Sequence, residues 1–384
     1  MCKSKNYKNR ILFAISNLTY GGIQTQALNL AKAYKNKGCK VYFFYTGKYE
    51  EDFVNNELLA NNFLIIDGSF INDKNLMKFS WKLQRYWPLV RAVAILKFHR
   101  IKYVIPYQNQ LSCFFGAIHN YTGVKKTLFH IRSTVLENES KPNWYLKHAL
   151  QNKPTIIVNS NHARIKFEQV YGKEYDLDIQ TIYNGIDVRP IDKTINWRLF
   201  FNVESVDFTA TILANFFNEK DFLTVFRAWK SFMEKTNSNS KLLIAGDEGV
   251  KGMKSFYKKE VENMGLENSV VFLGRISQNI ELLSIANCNI LSTENEGLPN
   301  SVIETLAMGK PFLGTDVDGI REVVGETYPI PLFKIGDHNK LEENLIKIYK
   351  DEIDLEYVKK YSFNRFKMFK VNKLIKNYSS IIAT

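Results

Sequence analysis

Two carboxylates, Glu296 and Glu304, lie eight residues apart in a segment that could hold a polar ligand. An apolar run from Cys288 to Ser292 predicts a buried strand before them, and Gly297 allows the backbone to turn sharply. A helix is predicted to begin near Pro299, because proline is tolerated at a first helical position. Glu304 lies about one and a half turns into this helix, so we expect the two carboxylates to have different tasks.

The beginning of this helix could bind an anion. Its first backbone amides and the positive end of its dipole face the same space as Glu296. An anion and a hydroxyl-rich group could therefore be held side by side. Strand-loop-helix units with exposed acids also occur in α/β domains that bind nothing there, so the pattern alone leaves both interpretations open.

A lysine stands at a second strand-loop-helix junction. Lys220 follows the predicted strand Thr209 to Ala214 and precedes a helix that is predicted to end near Glu234. A cation there could neutralise a diphosphate leaving group. The helix dipole disfavours a cation at a helix start, which favours a functional role over an incidental surface lysine.

Adjacent glycines mark a third junction of this kind. Gly21 and Gly22 lie between an apolar strand, Ile11 to Ser16, and a helical pattern from Ile23 to Lys37. Such a pair lets backbone amides approach a phosphate or a sugar closely. Glycine pairs are also common in turns that bind no ligand.

His130 lies at the end of the predicted strand Lys126 to Ile131. Ligands of parallel α/β sheets bind beyond the carboxyl ends of the strands. An imidazole at that position could donate a hydrogen bond to a sugar hydroxyl or stabilise charge that develops during transfer. The alternative is a buried structural histidine with satisfied ring nitrogens.

Strands alternate with helices along the whole chain, which predicts an α/β fold with two doubly wound, Rossmann-like domains. The polar stretch after Asn184 and Gly185 predicts the linker between them. We expect an N-terminal domain over residues 1–187, a C-terminal domain over 188–362, and a terminal helix over 363–384. The further predicted strands are Lys40–Tyr45, Phe63–Ile66, Tyr103–Pro106, Thr155–Asn159, Lys241–Gly246, Val270–Gly274 and Pro311–Thr315.

The composition is that of a globular protein of two domains. The chain has 384 residues, of which 45% are hydrophobic and 24% charged. Its four cysteines, at positions 2, 39, 113 and 288, form no C-x-x-C pair, which argues against a metal cluster or a disulfide framework. The apolar run after the basic N-terminus is too short for a signal peptide or a membrane span, so we expect a cytoplasmic protein.

The positive charge lies in the N-terminal half. Residues 1–190 contain 27 Lys and Arg against 13 Asp and Glu, and the segment from Lys74 to Leu136 contains no acid. Cations interleaved with aromatic residues fit an anionic bilayer, whereas no nucleic-acid motif supports a nucleic-acid partner. A solvated basic face is the alternative. Charge reversal at Lys78, Lys82 and Arg85 should release the protein from anionic vesicles.

The sequence Glu296-Gly-Leu-Pro-Asn, with a second glutamate eight positions after the first, resembles the glutamate-x7-glutamate signature of retaining glycosyltransferases with a GT-B fold, often called family 4. The Gly21-Gly22 loop, the loop around Lys220 and the Asn-Gly-Ile-Asp sequence that ends at Asp187 resemble other segments of that family. The resemblance covers nearly the whole chain.

This resemblance implies two domains that face a cleft, with the donor mostly on the second. It implies that Glu296 and the amides of Gly297, Leu298, Pro299 and Asn300 contact the donor sugar, and that Glu304 holds the ribose. Lys220, Gly22 and the helix start would stabilise the leaving diphosphate, while His130 would face the donor sugar. The backbone of Arg275 and Ile276 would pair with the nucleobase.

The chain also departs from the family pattern. Asn215 occupies the position of an arginine that, with the lysine, usually holds the diphosphate, so half of that charged contact is missing. Asp318 stands in place of the first glycine of a Gly-Gly-x-x-Glu loop. The D-x-D sequences at Asp316 and Asp176 resemble a metal-nucleotide motif of another fold, but three residues match by chance too often to carry weight.

The expected activity is transfer of a sugar from a nucleotide diphosphate sugar, with a UDP-sugar favoured, and with retention of configuration and no metal cofactor. The expected acceptor is a lipid-linked or membrane-held glycan in surface polysaccharide synthesis, which would place the protein peripherally on the inner face of the membrane. Two alternatives stay open: a GT-B sugar-nucleotide epimerase, and a non-catalytic partner subunit. Lys220, Glu296 and Glu304 argue for an enzyme, and Asn215 keeps the partner subunit open.

Overall fold

The computed structural model describes residues 9–19, 21–72, 81–131 and 144–383. It divides into two compact units. The first unit comprises residues 1–185 together with the C-terminal segment 371–384, and the second comprises residues 186–370. Lys78 lies outside the described residues, and so do the side chains of Lys82 and Arg85.

The first unit contains a parallel sheet of seven strands in the order β3-β2-β1-β4-β5-β6-β7. Its strands are β1 Arg10–Ile15, β2 Lys40–Tyr45, β3 Leu64–Asp67, β4 Tyr103–Pro106, β5 Lys126–Ile131, β6 Thr155–Val158 and β7 Asp178–Thr181. Its α-helices up to residue 185 are α1 Gly22–Asn36, α2 Glu51–Phe53, α3 Trp81–Phe98, α4 Asn109–Thr122, α5 Trp144–Gln151 and α6 Asn161–Tyr171. Helix α2 continues as a π-helix over Val54–Leu59.

Alternate side chains of β1 enter two apolar cores on opposite faces of this sheet. Ile11, Phe13 and Ile15 pack in one cluster, whereas Leu12 and Ala14 pack in the other, and all five are 0% exposed. A strand that is buried on both faces must be apolar throughout, which explains why the run could be identified from sequence.

The second unit contains a parallel sheet of five strands in the order β10-β9-β8-β11-β12. Its strands are β8 Phe208–Leu213, β9 Ser240–Ala245, β10 Val270–Gly274, β11 Cys288–Leu291 and β12 Phe312–Gly314. Its helices are α7 Trp197–Phe200, α8 Phe222–Thr236, α9 Met253–Asn263, α10 Asn279–Ile285, α11 Asn300–Ala307, α12 Asp318–Val324, α13 His338–Tyr349 and α14 Leu355–Phe366. Trp229 of α8 is fully buried in the main core of this unit.

The C-terminal tail begins later than the sequence indicated. Helix α14 stays in the second unit, so the tail that joins the first unit is α15, Val371–Ala383, rather than a helix from residue 363. Leu374 and Tyr378 of α15 are buried in the core that also contains α1. A Cβ atom at Gly185 would lie 2.7 Å from the Leu374 side chain, so a glycine there allows the tail to approach.

Strand β7 was absent from the sequence prediction. Among the described residues, Cys39, Cys113 and Cys288 are buried and form no disulfide. Among the described helices, none combines the length and the apolar character that a membrane span requires.

Candidate active site

The strand order of the second sheet brings two predicted site loops together. The order reverses between β8 and β11, which are neighbours in the sheet although they are separated in the chain. Lys220 follows β8, and Glu296 follows β11. Crevices at such reversal points, beyond the carboxyl ends of the strands, are the usual ligand sites of open parallel sheets.

Lys220 and Glu296 form an ion pair at this point. The Lys220 ammonium donates a hydrogen bond to Oε1 of Glu296, and it also contacts Oγ1 of Thr293 at 3.3 Å. The two charged side chains are only 10% and 21% exposed. The pairing reduces the cost of holding both charges out of water, and it leaves a cation and a hydrogen-bond acceptor in one place.

Thr293 connects three loops of the second unit. Its hydroxyl lies 3.0 Å from the carbonyl oxygens of Glu219 and Asn295 and accepts the contact from Lys220. The hydroxyl of Thr315, after β12, accepts from the Thr293 amide at 3.1 Å and donates to the Thr293 carbonyl at 2.8 Å. Both threonines are 0% exposed, and buried hydrogen bonds of this kind hold the three loops in fixed positions.

The backbone of Lys220 is held independently of its side chain. The Tyr257 hydroxyl donates to the Lys220 carbonyl at 2.9 Å, and the Lys220 amide donates to the carbonyl of Phe217 at 3.1 Å. The next residue, Asp221, caps α8 by accepting from the amide of Thr224 at 3.1 Å. Capping by Asp221 offsets the unfavourable position of a cation near a helix start.

The loop from Glu296 to Asn300 lies against the N-terminus of α12. A Cβ atom at Gly319 would be 2.1 Å from the Glu296 carbonyl oxygen and 2.6 Å from that of Gly297. The loop can follow this path only because residue 319 has no side chain. Leu298 and Pro299 are buried, and α11 begins at Asn300 with Pro299 as its N-cap, which confirms the predicted helix start near Pro299.

Glu304 has a different environment from Glu296, as the sequence indicated. It is half-buried in the second turn of α11. Burial raises the pKa of Glu304 to about 7, and a hydrogen bond with Asn279 of α10 opposes this increase. A carboxyl that titrates near neutral pH can be held in the fold in its neutral form and become an anionic acceptor when a hydroxyl-bearing ligand binds.

Asn215 has a hydrogen-bond partner in the loop after the neighbouring strand β9. Its side-chain carbonyl accepts from the backbone amide of Asp247 at 2.9 Å, which joins the loops after β8 and β9. Asp247 itself lies 4.0 Å from the ammonium of Lys254. On the next strand, Arg275 is exposed beyond Gly274, whose φ is +72°, and Ile276 packs against the core.

The D-x-D carboxylates after β12 are engaged by a cation. Arg321 contacts Asp316 at 2.8 Å and Asp318 at 2.9 Å. Within the described ranges, no group of three or more His, Cys, Asp or Glu side chains is placed to hold a metal ion.

Gly21 and Gly22 lie in the first unit, at the beginning of α1. Gly21 is the N-cap, and its carbonyl oxygen accepts from the Thr25 amide at 2.9 Å and the Thr25 hydroxyl at 3.0 Å. The Gln24 side chain is mostly buried and folds back over this loop, donating to the Asn17 carbonyl at 3.1 Å. This is the strand-glycine-helix junction that the sequence predicted.

His130 also lies in the first unit, and both its ring nitrogens have protein partners. Nδ1 donates to the Pro106 carbonyl oxygen, so Nε2 of the neutral ring accepts from the Tyr378 hydroxyl at 2.6 Å. The ring is 1% exposed and lies between the rings of Tyr107 and Tyr378, at centroid distances of 5.0 and 5.7 Å. The contact with a donor sugar that we expected stays a prediction.

Sequence reasoning missed the residues that hold the loops. Thr293, Thr315 and Tyr257 were not identified, and Gly319 was noted only as part of a glycine loop. One available signal was that Thr293 and Thr315 are small polar residues within two positions of the ends of buried strands, at the edge where ligands bind.

Two protein-family models match this chain. The model of glycosyl transferases group 1 matches residues 197–365, and that of glycosyltransferase family 4 matches residues 20–189. The chain belongs to this glycosyltransferase family. The first match contains the Lys220 and Glu296 loops, and the second contains Gly21, Gly22 and His130.

Individual relatives are distant from this family 4-type chain. N-acetyl-alpha-D-glucosaminyl L-malate synthase of Bacillus anthracis is 25% identical over 264 residues, which are 66% of this chain and 66% of that protein. The putative glycosyltransferase EpsD of Bacillus subtilis is 30% identical over 145 residues, or 35% of this chain and 38% of that protein. The chain thus matches less than two thirds of the length of these relatives.

The GT-B fold is shared over almost the full chain with solved glycosyltransferases. HepE of Anabaena in complex with UDP-glucose superposes with a TM-score of 0.78 at 17% identity, covering 97% of this chain and 99% of that one. WaaG, described as a glycosyltransferase involved in lipopolysaccharide biosynthesis, gives a TM-score of 0.72 at 15% identity over 97% and 99% of the two chains.

Proposed function

We propose that this protein transfers a sugar from a nucleotide diphosphate sugar to a lipid-linked or membrane-held glycan, with retention of anomeric configuration, in surface polysaccharide synthesis. The observation that carries the proposal is the Lys220-Glu296 pair at the reversal point of the second sheet. A UDP-sugar is the favoured donor, and the complex of HepE with UDP-glucose, which has the same fold, supports that choice.

Donor binding would open the ion pair and use each partner separately. The ammonium of Lys220 would move from Glu296 to the diphosphate, where it offsets the charge that the leaving group gains. The Glu296 carboxylate would then accept hydrogen bonds from hydroxyls of the sugar. Both partners are mostly buried, so these contacts would be made in a site of low dielectric, where they are strongest.

The start of α11 would contribute to the same step. Pro299, as N-cap, has no side-chain oxygen to accept from the first turn, so an oxygen of the diphosphate can take the place of a capping group. Glu304, farther along the helix, would accept from the ribose hydroxyls. This division of tasks needs no metal ion to balance the diphosphate, so we expect a chelator to leave the rate unchanged.

A membrane-held acceptor is supported by the charge of the first unit. The stretch from Lys74 to Leu136 has eleven basic residues and no acid. An anionic leaflet attracts such a surface, with each cation near the surface contributing about 1 kcal/mol. The involvement of WaaG, which shares the fold, in lipopolysaccharide biosynthesis is consistent with an acceptor of this kind.

The direct test is nucleoside diphosphate release from UDP-, GDP- and ADP-sugars in the presence of a lipid extract of source cells. Wild type and Glu296→Ala are compared, with exposed Glu262→Ala as the matched control, and with and without EDTA. Lipid-dependent release from one donor that only Glu296→Ala lacks would support the proposal. Donor conversion that needs no lipid would instead favour an epimerase.

A non-catalytic partner subunit is the second candidate, and Asn215 is the observation that favours it. Its carbonyl is used by the Asp247 amide, and a neutral side chain cannot replace the missing arginine as a second cation. If the chain binds UDP but releases no diphosphate from any donor, while Asn215→Arg restores release, the natural chain is such a subunit.

A further inference from the structure

A second lysine, Lys254, lies at the same edge of the second sheet as Lys220. It is the second residue of α9, and its ammonium is 3.8 Å from the position that a Cβ atom would take at Gly274, the last residue of β10. Tyr257, three positions later on the same face of α9, donates its hydroxyl hydrogen bond to the Lys220 carbonyl at 2.9 Å. Helix α9 therefore brings a second cation to the carboxyl ends of these strands.

The loops after β8 and β9 are joined along their backbones. The Phe216 amide donates to the Asp247 carbonyl at 3.0 Å, and the Val250 amide donates to the Phe216 carbonyl at 2.9 Å. A Cβ atom at Gly246 would lie 1.9 Å from the Ala214 carbonyl oxygen, so this close approach requires a glycine. The loop that leads into α9 is thereby held against the loop after β8.

The side chain of Asn215 is part of this attachment. Its Oδ1 accepts from the Asp247 amide at 2.9 Å. An arginine in this position could not accept that bond, because a guanidinium has donors only. The residue that leaves the loop after β8 without a cation therefore also holds the loop that precedes Lys254.

The ammonium of Lys254 is only weakly engaged within the fold. It lies 4.0 Å from Oδ1 of Asp247, at the outer limit of an ion pair, and that carboxylate is exposed. The same oxygen already accepts from the Glu248 amide at 2.8 Å. The backbone of Lys254 is fixed, since its amide donates to Oε1 of Glu248 at 3.0 Å. The result is a positioned cation, 25% exposed, that can accept a stronger anionic partner.

The strand order places Lys254 where the nucleoside side of a donor would extend. Glu296 follows β11, Lys220 follows the neighbouring strand β8, and Lys254 lies beyond β9 and β10. Neighbouring strands are about 4.8 Å apart, so these three charged groups follow one another along the edge of the sheet. A donor with its sugar at Glu296 and the adjoining phosphate at Lys220 would direct its second phosphate toward Lys254.

We propose that Lys254 supplies the second cation for the donor diphosphate, in place of the arginine whose position Asn215 occupies. This inference rests on the nucleotide diphosphate sugar proposed above, and it adds a binding residue to that site. Lys220 contacts the phosphate next to the sugar, and Lys254 contacts the phosphate next to the nucleoside. Asn215 acts as a positioning residue, because it holds the loop before α9 rather than contacting the donor.

The test is titration calorimetry of the full chain with uridine, UMP and UDP, or with the guanosine or adenosine series if wild type binds GDP or ADP more tightly. Lys254→Met should bind the diphosphate about tenfold more weakly, whereas its affinity for the nucleoside should not change, because only a charged phosphate contact is lost. Lys254→Arg keeps the charge and should keep most of the affinity. The matched control is Lys259→Met, which removes an exposed lysine of the same helix.

Two substitutions of Asn215 test its link to Lys254. Asn215→Arg in the Lys254→Met protein should restore most of the diphosphate affinity, because it returns a second cation to the site. Asn215→Ala in the wild-type background keeps every cation but removes the bond to the Asp247 amide. It should weaken diphosphate binding and leave nucleoside binding unchanged, since the loop that positions Lys254 is released.

The outcomes separate this inference from the proposed function. Unchanged diphosphate affinity in Lys254→Met would overturn the inference, and so would an equal loss of nucleoside affinity, which would assign the ammonium to the nucleoside. Diphosphate release from the sugar donors is measured on the same proteins. If wild type binds the diphosphate through Lys254 but releases none from any donor, only the transferase proposal fails. If wild type binds none of the three diphosphates, both fail.

Discussion

The ammonium of Lys220 is paired with the carboxylate of Glu296, a residue 76 positions later in the chain. The two side chains meet because β8 and β11 are neighbours in the sheet and both carry their loops at the same edge. Removing only one partner of such a buried ion pair strongly destabilises the folded protein, because the other charge is left without compensation. A ligand that offers both a phosphate and hydroxyl groups can replace the pair with two new contacts.

The first prediction concerns the charge of Lys220. Lys220→Met should lower the rate of diphosphate release by about a hundredfold or more, because the leaving group loses a preorganised cation in a site of low dielectric. UDP affinity, measured by titration calorimetry, should fall as well. Lys259→Met, which removes an exposed lysine of α9, should change neither quantity. A Lys220→Met enzyme with the wild-type rate would exclude a catalytic role for this lysine.

The second prediction concerns Thr293 as a positioning residue. Thr293→Val keeps the shape of the side chain but removes the hydroxyl that contacts Lys220 at 3.3 Å and spans the loops. We expect the turnover rate to fall about tenfold, with a smaller change in the donor KM, and Thr293→Ser to restore most of the rate. If Thr293→Ser loses as much turnover rate and as much stability as Thr293→Val, the hydroxyl does not position Lys220.

The third prediction follows from the pKa of Glu304, which burial raises to about 7. The unfolded carboxyl ionises at lower pH than the folded one, so the folded state holds the extra proton between these values. The stability that this group contributes is therefore present at low pH and is lost as pH rises through about 7. Glu304→Gln removes this dependence and should become more stable than wild type at pH 8, by on the order of 3 kcal/mol.

Urea unfolding of wild type and Glu304→Gln at several pH values measures this difference in unfolding free energy, because all other groups titrate equally in the two proteins. The donor KM gives a second readout, because only the ionised carboxylate accepts from two ribose hydroxyls. The wild-type KM should fall as pH rises through about 7, whereas that of Glu304→Gln should stay high. A wild-type KM that does not change with pH would argue against a ribose contact.

The fourth prediction concerns Gly319. In Gly319→Ala the new Cβ would lie 2.1 Å from the Glu296 carbonyl oxygen, so the loop that carries Glu296 must move. We expect a loss of about 1–3 kcal/mol in unfolding free energy, and weaker UDP binding. Gly252→Ala is the control, because its φ of +90° strains an alanine but no atom lies within 4 Å of the Cβ position. That variant should lose stability only.

The strands of both sheets could be predicted closely because they are buried on two faces. Tyr103–Pro106 and Lys126–Ile131 have the predicted bounds, since a strand covered on both sides must be apolar along its length. Strand β7, Asp178–Thr181, was missed for the opposite reason. It is an edge strand with Asp178 and Gln180 among its four residues, so no apolar run distinguishes it.

The site could be predicted only in part. The chemistry of Lys220 and Glu296 was identified from local sequence patterns. Their pairing depends on the order of the strands in the sheet, and no local sequence pattern contains that order because the packing of the core determines it. The same limit applies to Asn215, whose partner Asp247 follows a different strand. It applies also to His130, because its partner Tyr378 is 248 positions away in the C-terminal helix.

The last prediction separates the structural role of His130 from a catalytic one. Tyr378→Phe removes the hydroxyl that donates to Nε2 at 2.6 Å and leaves a buried acceptor unsatisfied. Unfolding free energy, measured in urea, should fall by about 1–2 kcal/mol, while donor turnover stays within twofold of wild type. His130→Phe should lose more stability, because the bond to Pro106 is lost as well. If a His130→Asn variant keeps its stability but loses turnover, the imidazole acts on the substrate and the sequence interpretation is correct.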